Sequence, residues 1–114
     1  MRDFTTTEYI EPIVDALLKD HEVVDLTEYG LGVRLKEKRG EHPKSTLIRN
    51  NEGKIVFFSY DYFHVDEYVA LRREMLDWAI AVETYPGELD TWVYREYDRI
   101  DAAVGKMLLE RSGL

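Results

Sequence analysis

The chain has 114 residues, 45% of them hydrophobic and 33% charged, with a net charge of −8 and no cysteine. That is the size of one domain, long enough to bury a core without covalent staples. Disulfides, thiolate catalysis and zinc–thiolate sites are excluded, and the net acidity disfavours general binding to duplex phosphates.

The charge is unevenly placed. Residues 1–32 carry a net −6, residues 33–54 a net +4 and residues 55–114 a net −6. A single basic segment between acidic flanks suits docking on a basic surface better than wrapping a polyanion. No run approaches the ~18 apolar residues of a membrane span, and the start, MRDFTTTEY, lacks the apolar region of a secretory leader. A cytoplasmic protein is expected.

In chain order, Thr5 and Glu8 offer a capping box ahead of an apolar stripe at Ile10, Ile13, Val14, Leu17 and Leu18. The spacing predicts a helix ending near Asp20. Pro12 complicates its start: either the helix begins near Glu11, or residues 7–11 form a looser turn. Val23, Val24 and Leu26 suggest a short strand. Leu31, Val33 and Leu35 alternate with Gly32, Arg34 and Lys36, as in a half-buried strand with a basic outer face. A further strand is expected over residues 45–50, followed by a hairpin turn at Asn50-Asn51-Glu52-Gly53.

Ile55, Val56, Phe57 and Phe58 are consecutive apolar residues, so a strand here is buried on both faces and reads as the centre of a sheet. Two helices follow. Asp66 is the expected N-cap of the first, whose broad stripe contains Tyr68, Leu71, Met75, Trp78 and Val82, widened by Val69, Leu76 and Ile80. Tyr85-Pro86-Gly87 ends it. Asp90 or Thr91 is expected to cap the last helix, with Leu89, Val93, Tyr97, Ile100, Val104, Met107 and Leu108 inside. The expected fold is one α+β domain: a three- to four-stranded antiparallel meander, with an N-terminal helix at its edge and the C-terminal helix pair packed on the sheet.

No motif carries catalytic chemistry. His64, Asp66 and Glu67 gather metal-binding residue types, but residues 66 and 67 point about 100° apart on a helix, so a cap preceded by a turn histidine is the better account. Gly30-x-Gly32 leads into a strand rather than a helix N-terminus and offers no phosphate cradle. The three histidines have no nucleophile motif around Ser45 or Ser59. No metal and no cofactor are called for.

Two surfaces stand out. Arg34, Lys36, Lys38, Arg39, Lys44 and Arg49, beside Tyr60 and Tyr62, form a candidate single-strand nucleic-acid face, opposed by the acidic flanks. On the last helix, Asp90, Tyr94, Asp98 and Asp101 fall within about 80° of one another at 100° per residue. Tyr60, Asp61 and Tyr62 add acidic and aromatic groups before the preceding helix. Tyrosine beside carboxylate engages Arg and Lys through charge-assisted hydrogen bonds and ring contact.

The leading expectation is a non-catalytic acidic protein that docks on a basic protein surface, such as the groove of a nucleic-acid-processing enzyme. In size and charge alone the chain resembles inhibitors from phages and mobile elements. The alternatives are a small enzyme or ligand-binding domain with a site near Tyr60, Tyr62 and His64, and nucleic-acid binding through the basic strands.

Overall fold

The computed structural model describes the backbone of residues 2–25, 32–37, 43–49, 55–59 and 65–113, and the side chains of 2–24, 35 and 65–113. Among the described residues, three helices and four strands follow in the order α1 (Thr7–Asp20), β1 (His21–Asp25), β2 (Gly32–Glu37), β3 (Pro43–Arg49), β4 (Ile55–Ser59), α2 (Asp66–Val82) and α3 (Leu89–Ser112).

The stripe Ile10, Ile13, Val14 and Leu17 of α1 is buried, as its spacing demands. The start of the helix differs from expectation. Thr6 is the N-cap, without a side-chain cap bond. Thr5 donates both its N–H (2.9 Å) and its Oγ1–H (2.6 Å) to Asp3 Oδ1, so the Thr5–Glu8 capping box does not form. Pro12 lies inside the helix rather than at its first position. Its ring faces the carbonyl of Glu8, in the first turn, where the backbone has most freedom to yield. At the other end, the His21 backbone N–H bonds the Leu17 carbonyl. The His21 ring Nδ1 approaches the same oxygen at 3.0 Å; a carbonyl only accepts, so this nitrogen carries the proton.

The strand backbones pair antiparallel in the order β1-β2-β3-β4. The register sets Val23 opposite Leu35 and Glu22 opposite Lys36, with irregularities between Leu35 and Lys36 and between Ile48 and Arg49. Leu35 is fully buried.

α2 begins at Asp66 itself, with Val65 as N-cap, and ends at Glu83, which adopts left-handed backbone (φ 51°) and returns its N–H to the Ala79 carbonyl. α3 begins at Leu89, with Glu88 rather than Asp90 or Thr91 as N-cap, and closes on Gly113 at φ 76°. In the turn between them Gly87 (φ 82°) lets the chain reverse, and Arg95 Nη2 donates to the Pro86 carbonyl at 2.7 Å.

The expected α+β meander carrying a C-terminal helix pair is corrected. The residues described with their side chains are 75% helical, in three helices with β1 as the single strand. Apart from Phe4, Leu35 and Val65, every buried apolar residue among them lies on a helix. α2 packs on α1 and α3 and makes at most marginal contact with any strand, while α1 meets both other helices as well as β1, the strand that follows it. α3 reaches across to β4 and β1. Among the residues described with their side chains, the organisation is therefore that of a helical protein.

The central-strand reading of Ile55–Phe58 is corrected as well. β4 ends the strand order. Burial of both faces requires cover above and below, which a helix such as α3 can supply; it does not require a neighbour along both edges. The sequence pattern speaks to faces and is silent on edges.

An aromatic chain ties the helices to the N-terminal segment. Phe4 meets Tyr9 at 5.1 Å and Trp78 at 6.0 Å, Trp78 stacks on Trp92 at 5.8 Å, and Tyr85 meets Trp92 at 6.0 Å. Arg2 lies over the Phe4 and Tyr9 rings and pairs with Glu74 at 2.9 Å. At the far end Arg111 of α3 pairs with Asp15 and with Glu11 (3.0 Å) of α1.

The left-handed Glu83 is the one backbone position among the described residues where a side chain opposes its own φ. Glu83→Gly is expected to stabilise the protein by about 0.5–1 kcal/mol, the relieved strain being partly offset by unfolded-state entropy. Urea unfolding checks this; a loss of stability would show that the glutamate side chain holds the helix end.

Candidate functional site

α3 positions most of the predicted site residues, and its burial pattern decides which of them reach solvent. Its buried residues fall in adjacent pairs: Trp92–Val93, Glu96–Tyr97, Ile100–Asp101, Val104–Gly105 and Leu108–Leu109. The repeat is four residues, whereas a turn takes 3.6. Each repeat therefore advances the buried stripe by about 40° around the helix, or roughly 160° from first pair to last. A stripe that winds this way has no single wet face.

Asp90, Tyr94 and Asp98 are exposed, with Tyr94 at 73%. Among the described residues, neither Asp90 nor Asp98 makes an ion pair or hydrogen bond. The nearby bases are engaged elsewhere: Arg95 holds the Pro86 carbonyl, and Arg99 pairs with Glu96 at 3.0 Å and stands 3.9 Å from Asp3. Three of the four predicted α3 residues thus form an uncompensated acidic row around an exposed ring.

Asp101 does not belong to that row. It is 9% exposed, and Tyr68 of α2 donates its hydroxyl to Asp101 Oδ1 at 2.9 Å. Burial pushes the Asp101 carboxyl up from 3.8 to about 7; the Tyr68 hydrogen bond pulls the other way, and the charge of Asp98 adds to the rise. The 100° rule places Asp101 between Asp90 and Asp98, but the winding stripe has reached that side of the helix by the third pair. The signal was present in the sequence as the period of four running through WVxxEYxxIDxxVGxxLL. The same period marks Glu96, a buried carboxylate that the apolar-stripe reading omitted.

Tyr60, Asp61, Tyr62 and His64 lie outside the described residues, as do the side chains of Arg34, Lys36, Lys44 and Arg49 and all of Lys38 and Arg39. Of the candidate metal ligands, Asp66 is exposed and Glu67 half-buried. Among the described residues no group of three potential ligands converges. His21 serves the end of α1, its Nδ1 at the Leu17 carbonyl. It borders a polar recess of about 270 Å³ with Lys19, Asp20, Asp66 and Glu67.

Because Asp101 holds its proton more firmly folded than unfolded, its contribution to stability is complete below pH 4 and lost as the pH rises through 7. The loss is at most about 1.4 kcal/mol per pH unit in that window, and flat above it. Asp101→Asn keeps an acceptor for Tyr68 and removes the titration. The variant is expected to gain on the wild type steadily between pH 4 and 7 in denaturant melts. A difference independent of pH would refute the buried-acid assignment.

No protein-family model, curated protein or solved structure matches this chain. Among the described residues, no helix is long and apolar enough to cross a membrane.

Proposed function

We propose that the protein is a non-catalytic binding protein that docks on a basic macromolecular surface through Asp90, Tyr94 and Asp98. The target class that fits is a nucleic-acid-processing enzyme whose substrate groove the acidic row would occupy, in a cytoplasmic setting. The observation that carries the reading is Tyr94, a large aromatic ring at 73% exposure between two carboxylates without ion pairs. A ring left in water costs apolar hydration that a partner would relieve, and the flanking charges would steer a cationic surface toward it.

The helix supports this role mechanically. α3 is held by the Trp78–Trp92 stack near its start and by Arg111 near its end, so the row is presented on a rigid rod. Fixed charges lose little freedom on binding, which favours affinity for a given contact.

Pulldown from the native host at low and high salt is expected to recover a basic protein that high salt releases. Asp90→Lys with Asp98→Lys should slow association and flatten its salt dependence, while leaving stability within about 0.5 kcal/mol, since both side chains are exposed. Tyr94→Ala should mainly speed dissociation, by up to about 2 kcal/mol. An unchanged on-rate for the double reversal would remove this row from the interface.

A further inference from the structure

α2 has an apolar strip that the core does not use. Tyr68, Leu71, Met75 and Ala79 are buried, yet Val69 and Ile80 stand 42% and 58% exposed, with Leu76 only partly covered. At 100° per residue Val69, Leu76 and Ile80 lie within about 40° of one another. Arg73 and Asp77 run along one flank of this strip, both exposed, and among the described residues neither makes an ion pair. They edge an open groove of about 490 Å³ that is also lined by Arg2 and Trp78.

We propose that this face binds a second copy of the chain, with α2 against α2 in antiparallel orientation about a two-fold axis. The case rests on self-complementarity. A two-fold point between Glu74 and Met75 sets Val69 of one copy opposite Ile80 of the other, and repeats the contact in reverse. In such a pair the same flank of each helix meets its counterpart. Arg73 of each copy therefore faces the Asp77 region of the other, giving two ion pairs beside one apolar seam. A purely acidic or purely basic partner would satisfy only one member of each charge pair. The strip spans about 17 Å of helix and each copy carries a net −8. A contact along so short a strip is smaller than a standard interface, so the dimer is weak.

Sedimentation velocity on the whole chain from 10 μM to 1 mM tests this. The wild type is expected to shift from monomer to dimer across that range. R73D and D77R each set like charges across the seam and should weaken association at least about tenfold. An equimolar mixture of R73D and D77R restores opposite charges at both flank positions and should dimerise within a few-fold of the wild type. I80D should remain monomeric, with unchanged circular dichroism and melting showing that it folds. A wild type that stays monomeric at 1 mM, a dimer indifferent to R73D and I80D, or a mixture that fails to associate would each overturn the proposal.

Discussion

The winding of the buried stripe on α3 is the constraint on which the rest of the structure depends. A helix that buries a pair of residues every four positions must meet different neighbours along its length, because each repeat turns the stripe by about 40°. Its first pair meets the aromatic chain: Trp92 stacks on Trp78 and touches Tyr85. Its middle buries Asp101 under Tyr68 of α2, and its last turn binds α1 through Arg111. One helix thereby organises the other two and still reaches across β4 and β1.

The same winding separates acids that sequence spacing puts together. Asp98 and Asp101 are less than one turn apart, yet the first faces water and the second is buried beside a tyrosine hydroxyl. An exposed carboxylate keeps its charge and can act at a distance. A buried one gives up its hydration and holds its proton to higher pH, so below its raised pKa it contributes packing and a hydrogen bond rather than field. The acidic row is shorter than the spacing implied, and it is centred on Tyr94. α2 divides its apolar residues in a comparable way, Leu71 and Met75 inward, Val69 and Ile80 outward. The breadth of its stripe reflects a second face left open, with Val69 and Ile80 in water.

The stripe of α1 was legible because Ile10, Ile13, Val14 and Leu17 meet one set of neighbours along a short helix, so the 3.6 period holds from end to end. The alternation of Val33 and Leu35 located a strand, and the apolar run at residues 55–58 located another. That Ile55–Phe58 lies at the end of the strand order was not legible, because periodicity reports which faces are covered and not which edges are paired. Helix starts were misplaced where Thr5, Asp66 and Asp90 looked like caps. In each case the extended residue preceding the helix was Thr6, Val65 or Glu88, set by how the chain enters the core and not by side-chain chemistry. For the candidate site, Asp90, Tyr94 and Asp98 were readable as exposed polar positions, whereas Asp101 required knowing that the stripe turns. Tyr60, Asp61 and Tyr62 lie outside the described residues, so their part in the acidic-aromatic surface rests on sequence alone.

The most direct test of the account is a titration of the Asp101 side chain by carbon NMR, following its carboxyl resonance from pH 3 to pH 9. A helix whose buried stripe winds as described places this group inside, and its midpoint should lie near 7. A midpoint in the ordinary range near 4 would contradict the burial of Asp101 in the winding stripe and return it to one wet face with Asp90 and Asp98.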